Sequence, residues 1–441
     1  MSNQSLLARS LQSVWHPCTQ MKRHETLPLV PISHGKGVWL HDLDGNRYLD
    51  AVSSWWVNLF GHANPRINAA LRDQLDKLEH VMLAGFTHEP VVQLSERLSQ
   101  LAPDGLGHCF YASDGASAIE IALKMSVHYW RNNHKPDKTK FISLKDSYHG
   151  ETLGALSVTD VAIFRDAYSP LIRHSDTMMN PDARLAAIGE SDHDYALRCA
   201  DALEKYLQQH HENLAAFIIE PLVQGAAGMA MYHPVYLSRV CAICEEYEVH
   251  LIADEIAVGM GRTGTLLACE QGEITPDFLC LSKGITGGYL PLSVVMTTSR
   301  TYHAFYDDST ARGFLHSHSY TGNPLACRAA LATLDIFRDE DVIERNRVKA
   351  DYLNHIASAL RSHPSVKHFR NRGMIWAFEV ESAHTDFAQR CFALGLHHEI
   401  LLRPIGNTVY FMPPYVISES EMDLLVTRTL HVVDQLSRQP A

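Results

Sequence analysis

Five short, continuously apolar runs constrain the fold of this chain more than any other feature of its 441 residues. Their side chains do not alternate between apolar and polar, which is typical of strands buried on both faces of a parallel sheet. Stretches of helical character lie between several runs, for example from Ser117 to Trp130 and from Tyr236 to Tyr247. The runs are HCFYA (108–112), KFISL (140–144), LAAFIIE (214–220), VHLIAD (249–254) and DFLCLS (277–282). We therefore expect an α/β fold with a mostly parallel central sheet flanked by helices.

The pattern of predicted strands and helices changes twice along the chain, which predicts two domains rather than one. Residues 1–60 form an aromatic-rich segment, and the alternating strands and helices occupy 61–325. Beyond that point, long helix-like stretches lead to two strand candidates, MIWAFEV and TVYFMPP. A chain of this length exceeds a usual single core. We expect a large α/β domain over 61–325 and a smaller α+β domain over 326–441, which the N-terminal segment joins.

Charge and cysteine content narrow the possible partners and the compartment. The net charge of −12 argues against nucleic acid or an anionic membrane as the main partner. No apolar run reaches the ~18 residues of a membrane span, and the first twenty residues lack a signal-peptide pattern. Nine scattered cysteines are typical of free thiols in a reducing compartment, so we expect a cytoplasmic protein. The Cys241-x-x-Cys244 pair lies in a helical stretch, where buried thiols are favoured over redox or zinc chemistry.

Three of the apolar runs end in residues suited to chemistry. HCFYA is followed by the small residues 113–117 and a helix, LIAD ends on Asp254, and FLCLS precedes Lys283 and a glycine-containing turn. Ligands of open α/β sheets bind at the carboxyl ends of the strands. Taken singly, these residues have ordinary interpretations: a surface lysine, a helix-capping aspartate and a strand-to-helix turn.

Together, the same residues match the requirements of pyridoxal 5′-phosphate (PLP). That cofactor needs a lysine to condense with its aldehyde, a carboxylate at its ring nitrogen and a helix N-terminus for its phosphate. Lys283 and Asp254 supply the first two, and the backbone N–H groups of Gly115 and Ala116 supply the third. Tyr148, which follows the strand KFISL, is placed to stack on the ring. Catalysis by Lys283 requires a neutral amine and hence a lowered pKa.

Two competing patterns are weaker. Gly259-Met-Gly261-Arg-Thr-Gly264 matches the G-x-G-x-x-G dinucleotide pattern, but five residues separate it from the strand end and no clear helix begins at it. We interpret it instead as a mobile loop over the site. His316 and His318 have spacing that suits a metal, but no third ligand is near in sequence, so no metal site is expected.

The stretch Leu251–Gly264, with the lysine 29 positions beyond Asp254, resembles the class III aminotransferases of PLP fold-type I. The resemblance runs from Trp15 to about Tyr415. Within that family the chain is similar to the branch that acts in biotin biosynthesis. The segments that carry this closer match are 15–21, Ser53-Ser-Trp-Trp56, Tyr148-His-Gly150, 219–225, 316–324 and Leu402-Arg-Pro404.

The resemblance implies further cofactor contacts. Gln224 would lie near the phenolic oxygen of PLP, and Ile256 would pack on the ring face opposite Tyr148. His318 and Ser319 would reach the phosphate of the partner subunit's cofactor. The active site would then be completed in a homodimer.

The resemblance also implies how substrates bind. Trp55 would line the substrate cleft, Arg403 would hold the acceptor's carboxylate in two parallel hydrogen bonds, and Ser317 would contact substrate. At least one of Trp55 and Trp56 is expected to be core. Cys18 stands where some members of the biotin branch carry a tyrosine that contacts both substrates.

Two further departures from related enzymes bear on specificity. The ornithine and γ-aminobutyrate relatives carry a glutamate shortly after the Glu-Pro pair, whereas residues 224–228 here contain no acid. Glu151 replaces a more usual aspartate and is one methylene longer. The first departure weakens the ornithine and γ-aminobutyrate alternatives.

The reaction expected from the resemblance is amino transfer to 8-amino-7-oxononanoate, which gives 7,8-diaminononanoate, with S-adenosylmethionine or lysine as the donor. Three alternatives remain open at this point. They are another class III aminotransferase that acts on ω-amines, a PLP-dependent mutase or decarboxylase, and a non-catalytic binding protein of the same fold.

Overall fold

The secondary structure alternates strands and helices in a computed structural model that describes residues 2–27 and 29–437. The strands are β1 (Ile32–Lys36), β2 (Trp39–Asp42), β3 (Arg47–Asp50), β4 (His108–Ala112), β5 (Lys140–Leu144), β6 (Asp176–Met178), β7 (Leu214–Ile219), β8 (Val223–Gln224), β9 (Ala230–Met231), β10 (His250–Asp254), β11 (Phe278–Leu281), β12 (Ser293–Thr297), β13 (Val366–Arg372), β14 (Ile375–Val380), β15 (Ile400–Leu401) and β16 (Thr408–Phe411). The helices are α1 (Asn3–Ser13), α2 (Ser53–Trp56), α3 (Pro65–Leu75), α4 (Glu89–Leu101), α5 (Gly115–Asn132), α6 (Leu153–Val158), α7 (Ala162–Arg165), α8 (Asp192–His210), α9 (Val235–Glu246), α10 (Ser299–His303), α11 (Pro324–Asp339), α12 (Val342–Ile356), α13 (Ser358–Arg361), α14 (Phe387–His397) and α15 (Glu419–Ser437). Short 3₁₀ turns span Met21–Glu25, Asp166–Leu171, Ala183–Leu185, His211–Asn213, Ala268–Gly272, Lys283–Thr286 and Thr310–Arg312.

The chain divides into two compact units, one of residues 66–344 and one of residues 1–65 together with 345–441. The sequence placed the start of the C-terminal domain at 326, whereas residues 326–344 group here with the larger unit. The physical reason is that α11 packs on α4 and on the turn that begins at Lys283. The sequence-based division into domains stays a prediction of functional organisation.

A seven-stranded sheet forms the centre of the 66–344 unit, in the order β4-β12-β11-β10-β7-β5-β6. Neighbouring strands from β11 to β6 are parallel, and β12 runs antiparallel to both β4 and β11. Every residue of β7, β10, β11 and β12 is buried, which explains why their apolar runs are continuous rather than alternating. The expected α/β class with a mostly parallel sheet is confirmed.

The sheet is covered by amphipathic helices, of which α5 has the widest contact. Asp114 caps it by accepting a hydrogen bond from Ser117 N at 2.9 Å, which satisfies one of the unpaired donors of its first turn. Its apolar stripe, including Ala118, Ile121 and Met125, packs over five strands of the sheet. Burial of this stripe fixes the N-terminus of α5 beside the end of β4.

The five apolar runs form five strands of the seven-stranded sheet, and the other two strands of that sheet were missed. β12 follows Lys283 after a short turn without a crossover helix, so its apolar run Ser293–Thr297 was not recognised as a strand. β6 has only three residues and extends the sheet beyond β5. The helical stretch that contains Cys241 and Cys244 is α9, in which Cys244 is buried and both thiols are free.

The second unit is built from two small antiparallel or mixed sheets and the C-terminal helices. One sheet has the order β1-β2-β3-β15, in which the N-terminal strand β3 pairs in parallel with the C-terminal strand β15, Ile400 opposite Leu49. The other has the order β13-β14-β16. Trp376, Phe378 and Phe411 form part of the buried core. Within the described ranges, none of the helices combines the length and apolar character needed to cross a bilayer.

Candidate active site

One edge of the seven-stranded sheet collects the residues singled out by the sequence. Because β12 is antiparallel to both of its neighbours, β4 is parallel to β11, and the carboxyl ends of β4, β11, β10, β7 and β5 share this edge. The residues found there are Ser113 after β4, Lys145 after β5, Glu220 after β7, Asp254 at the end of β10 and Lys283 beyond β11. Strand polarity alone therefore brings the expected lysine, aspartate and helix N-terminus together.

Lys283 occupies an unusual backbone conformation at the start of a 3₁₀ turn. Its φ of +45° lies in the left-handed region that non-glycine residues rarely adopt. Burial lowers the pKa of Lys283 below its usual range, while the negative charges of Asp254 and Glu220 oppose that shift. Strained backbone and a destabilised ammonium are both typical of a functional lysine.

Asp254 is held in a fixed orientation by two hydrogen bonds. Its Oδ2 lies 2.7 Å from His149 Nδ1, and its Oδ1 accepts from Ile256 N at 3.1 Å. Both side chains of the Asp254–His149 pair are buried, and His149 Nε2 has no hydrogen-bond partner among the described residues. His149 was not singled out from the sequence, although it lies between the recognised residues Tyr148 and Gly150.

Tyr148 is positioned from both ends by glutamates. Its backbone N donates to Glu220 Oε2 at 3.0 Å, and its hydroxyl donates to Glu151 Oε1 at 2.9 Å. Glu220 also accepts from Gly225 N at 3.0 Å, and burial raises the pKa of Glu220 to about 7. The sequence marked Glu151 as a departure without a role, and the structure gives it the role of partner to the Tyr148 hydroxyl.

The loop between β4 and α5 presents Gly115 and Ala116 at the helix N-terminus. The N–H groups of a first helical turn have no intrahelical acceptor, which makes them donors for an anion. A Cβ on Gly115 would lie 2.9 Å from Ile256 Cγ2, so only glycine allows Ile256 to approach the loop this closely. From the sequence we expected the glycine at 115 to allow a phosphate to approach closely. In the structure, the group that approaches Gly115 closely is Ile256.

Gln224 lies in β8 and is fully buried. Its Nε2 donates to Lys145 O at 3.1 Å, and its Oε1 lacks a partner among the described residues. A buried amide that is only half satisfied is typical of a group with a ligand to bind.

The segment 316–319 is less enclosed than the sheet edge. His318 lies 3.2 Å from the Ser113 hydroxyl of the same chain through Nδ1, and His316 Nδ1 lies 2.8 Å from Lys124 Nζ. Ser317 and Ser319 are exposed. The structure thus brings His318 to the loop before α5 of its own subunit. The contact of His318 and Ser319 with a partner's cofactor stays a prediction.

A second cluster lies in the unit formed by residues 1–65 and 345–441. Arg403 stacks over the ring of Trp55, with 4.4 Å from its Cζ to the ring centroid. Trp55 is 43% exposed, whereas Trp56 is 7% exposed and donates from Nε1 to the Tyr410 hydroxyl at 3.1 Å. One tryptophan is therefore core and the other is not. Across residues 2–27 and 29–437, the Arg403 guanidinium has no hydrogen bond or ion pair.

Cys18 is exposed, in a turn after α1, with a φ of +54°. In the part of the chain that the structure describes, it makes no hydrogen bond. Its role near the substrates stays a prediction.

The expectation of a mobile loop at 259–264 is wrong. Gly259, Met260, Gly261, Arg262 and Thr263 are buried, and no helix begins there. Gly259 N donates to Glu255 O at 2.9 Å, and Gly261 N donates to Leu266 O at 3.0 Å. A Cβ on Gly259 would lie 2.9 Å from Glu255 O, so this glycine serves close packing rather than motion.

The described residues contain no group of three or more His, Cys, Asp or Glu side chains that could hold a metal ion. His316 and His318 instead contact Lys124 and Ser113.

Comparison with known proteins gives a match over nearly the whole chain. The family model described as aminotransferase class III matches residues 20–433. A curated relative from Helicobacter pylori, named adenosylmethionine-8-amino-7-oxononanoate aminotransferase, is 45% identical over 99% of both chains. A relative with the same name from Aquifex aeolicus is 36% identical over 96% of both chains.

Solved structures give the same picture of the fold. The crystal structure of adenosylmethionine-8-amino-7-oxononanoate aminotransferase from Methanocaldococcus jannaschii matches with a TM-score of 0.93 and 35% identity, covering 99% of this chain and 100% of that one. An (S)-enantioselective omega-transaminase from Thermomicrobium roseum matches with a TM-score of 0.94 and 30% identity over 99% and 100%. An omega-transaminase from Pseudomonas jessenii, in complex with PMP, matches with a TM-score of 0.92 and 28% identity over 98% of both chains.

Proposed function

Because the chain belongs to the class III aminotransferases, a PLP-dependent family, we propose that it transfers an amino group from S-adenosylmethionine to 8-amino-7-oxononanoate, giving 7,8-diaminononanoate for biotin biosynthesis. The chain is a transaminase, as the sequence predicted. The relatives from H. pylori and A. aeolicus that carry the name of this reaction support the choice of substrates.

The observation that carries the choice of acceptor is the unpaired guanidinium of Arg403 over an exposed indole. A nonanoate acceptor has a terminal carboxylate and a long alkyl chain. Arg403 offers the planar donors that hold a carboxylate in two parallel hydrogen bonds, and Trp55 offers an apolar wall for the chain. An arginine already engaged with a protein carboxylate would have to break that pair first.

The residues at the sheet edge fit PLP. The N–H groups of Gly115 and Ala116 face no intrahelical acceptor and suit its phosphate, and Asp254 suits its ring nitrogen. The unsatisfied amide of Gln224 suits its phenolic oxygen. Ile256, which packs against Gly115, and Tyr148 would enclose its ring.

When bound, PLP supplies an aldehyde that condenses with amines and a ring that accepts the electrons left by a departing proton. Lys283 would move this proton, since its Nζ would accept it from the substrate carbon and hold it for return. Burial favours the neutral amine that this transfer needs, because it lowers the pKa of Lys283. Asp254 keeps its orientation through His149 and Ile256 N. The Tyr148 hydroxyl donates its one proton to Glu151, which fixes the orientation of the phenol that would stack on the ring.

We further propose that the enzyme acts as a homodimer in which His318 and Ser319 reach the partner's cofactor phosphate, Ser317 contacts substrate and Cys18 lies near the donor. The exposure of Ser317, Ser319 and Cys18 leaves them accessible for such contacts. A cytoplasmic location stays a prediction from the nine thiols.

Two half-reactions test the proposed function. Holoenzyme mixed with S-adenosylmethionine should lose the visible absorbance of its cofactor and release a stoichiometric keto product, and L-lysine should not do this. Addition of 8-amino-7-oxononanoate should restore the absorbance. Failure of this acceptor, with recovery by simple ketones, would favour the other candidate, an ω-transaminase like the T. roseum and P. jessenii neighbours. Release of carbon dioxide or an isomerised product without a keto acid would favour a decarboxylase or a mutase.

Replacing Arg403 tests the acceptor site specifically. Arg403→Ala should raise the KM for 8-amino-7-oxononanoate by about 10- to 150-fold, because a hydrogen-bonded ion of this kind contributes about 1.5–3 kcal/mol. Arg47→Ala is a matched control, since Arg47 also stacks on a tryptophan, Trp39, at 4.3 Å, but is paired with Glu399. An unchanged KM in Arg403→Ala contradicts the proposed carboxylate site.

A further inference from the structure

The residues that carry Trp55 adopt a left-handed helical turn without a glycine. Ser53, Ser54, Trp55 and Trp56 have φ values of +50°, +46°, +73° and +72°. Trp56 N donates to Val52 O at 2.8 Å and Val57 N to Ser53 O at 3.0 Å, so the turn has regular helical hydrogen bonds of the wrong hand. Each L-residue in this conformation costs about 1–2 kcal/mol. Such a turn persists only where its surroundings stabilise it.

The strongest stabilising contacts come from one buried carboxylate. Asp50 is 0% exposed, and its Oδ1 accepts from Ser54 N at 2.9 Å and Val52 N at 3.3 Å. Its Oδ2 accepts from the Ser54 hydroxyl at 2.7 Å and lies 3.1 Å from His62 Nε2. Three of these four groups belong to the turn or to the residue before it. Hydrogen bonds to a buried charge are about twice as strong as neutral ones, so Asp50 offsets much of the strain.

The handedness of the turn determines where its two indoles point. The Trp56 side chain lies in the core and donates a hydrogen bond to the Tyr410 hydroxyl. Ser53 Oγ donates to Met412 O at 2.7 Å. These contacts hold one side of the turn in place. Trp55 is left exposed on the other side, with Arg403 stacked on it. Since Arg403 has no hydrogen bond or ion pair in the described ranges, this stacking is what orients its guanidinium.

We propose that Asp50 is a positioning residue for the acceptor carboxylate: it holds residues 53–56 in the left-handed turn, and the turn holds Trp55 where it orients Arg403. The inference rests on the proposed role of Arg403 in binding that carboxylate. Asp50 touches neither substrate nor cofactor in this scheme and acts through Trp55.

The test compares two ligands that differ only at the head group, nonanoate and 1-nonanol, by titration calorimetry on the holoenzyme. Asp50→Ala should lower the ratio of nonanoate affinity to nonanol affinity by about tenfold, equivalent to about 1.4 kcal/mol. Asp42→Ala is the matched control. Asp42 is another buried aspartate of the same sheet, and it caps a turn by accepting from Asp44 N and Asn46 N at 3.0 and 2.8 Å. A comparable fall of the ratio in Asp42→Ala would overturn the inference, because it would mean general loosening of the unit.

A rescue variant separates positioning from a general need for Asp50 in folding. Glycine adopts the left-handed region without the steric cost of a side chain, so adding Ser54→Gly to Asp50→Ala should recover about threefold of the lost ratio. In that background the Ser54 hydroxyl has already lost its carboxylate partner, so the second change acts on backbone strain. If Asp50→Ala fails to fold, Asp50→Asn, which keeps the shape and removes the charge, takes its place in the same comparison.

Arg403→Ala separates the role of Arg403 from the role of Asp50. If Arg403→Ala leaves the affinity ratio unchanged, the proposed carboxylate site itself fails. If Arg403→Ala lowers the ratio but neither Asp50 variant does, Arg403 binds the carboxylate without help from the turn, and the inference about Asp50 is overturned. Absence of rescue by Ser54→Gly would likewise refute the role of backbone strain.

Discussion

Gly115 is the residue whose replacement tests the proposed cofactor site most directly, because the structure defines the atoms that a larger side chain would contact. A Cβ built there lies 2.9 Å from Ile256 Cγ2, 3.0 Å from Cδ1 and 3.5 Å from Cγ1. Carbon atoms pack best at about 3.5–4.0 Å, so Ile256 must retreat by several tenths of an ångström. It can do so only by disturbing the packing next to Asp254, whose Oδ1 accepts from Ile256 N.

Overpacking of this kind costs about 1–3 kcal/mol. We expect Gly115→Ala to raise the dissociation constant of PLP by about 5- to 150-fold, measured by equilibrium dialysis with absorbance detection. Ile256→Ala removes both clashing carbons, Cγ2 and Cδ1, so the double variant should bind PLP more tightly than the sum of the single effects predicts, by at least about 1 kcal/mol.

Gly107→Ala is the matched control for this prediction. A Cβ on Gly107 meets only Ser99 Oγ, at 3.7 Å, and the residue precedes β4, whereas Gly115 follows that strand. It should leave PLP affinity unchanged. Wild-type affinity in Gly115→Ala, or strict additivity with Ile256→Ala, would contradict the proposed steric conflict between Cβ and Ile256.

Three further perturbations have defined outcomes. Lys283→Ala should bind PLP without covalent attachment and lose turnover, as seen by absorbance and product assay, and full activity would contradict its role. His149→Ala leaves Asp254 without its 2.7 Å partner, so PLP affinity should fall by about 1–3 kcal/mol, and an unchanged dissociation constant would argue against this pairing. Burial raises the pKa of Glu255 to about 7 from 4.5, so between these values the folded chain retains a proton that the unfolded chain releases. The free energy of unfolding should therefore decrease as pH rises through this window. Chemical denaturation of Glu255→Gln should show a shallower decrease of the unfolding free energy with pH. An identical pH dependence in the variant and the wild type would contradict the assignment of this proton to Glu255.

Much of the larger unit follows from the sequence, because buried strands and their polarity leave few alternatives. The continuous runs at 249–254 and 277–282 predicted β10 and β11, and parallel pairing then places Asp254 and Lys283 at one edge. β12 was missed because it follows β11 after a short turn, without the crossover helix that marks a parallel neighbour. The glycines of 259–264 were misread because composition predicts conformational freedom but not the buried contacts that use it.

The cluster of Trp55 and Arg403 shows a different limit of sequence reasoning. Trp55 and Arg403 came from family resemblance, yet nothing in Ser-Ser-Trp-Trp predicts a left-handed turn, since it contains no glycine. The buried Asp50 that stabilises this turn is four residues before Ser54 and reads as an ordinary strand-end aspartate. Likewise, the contacts of Glu151 and Glu220 with Tyr148 depend on side-chain placement that only the folded chain defines.

The antiparallel strand β12 also has a consequence for ligand size. It lies between β4, which leads to the N-terminus of α5, and β11, which leads to Lys283. Neighbouring strands are about 4.8 Å apart, so Lys283 and the amides at the start of α5 extend from strands roughly 9–10 Å apart. A ligand that reacts with Lys283 while its anionic group binds at α5 must bridge that interval together with the lysine side chain. The strand order therefore limits the distance between carbonyl and anion in a ligand that reaches both Lys283 and the N-terminus of α5.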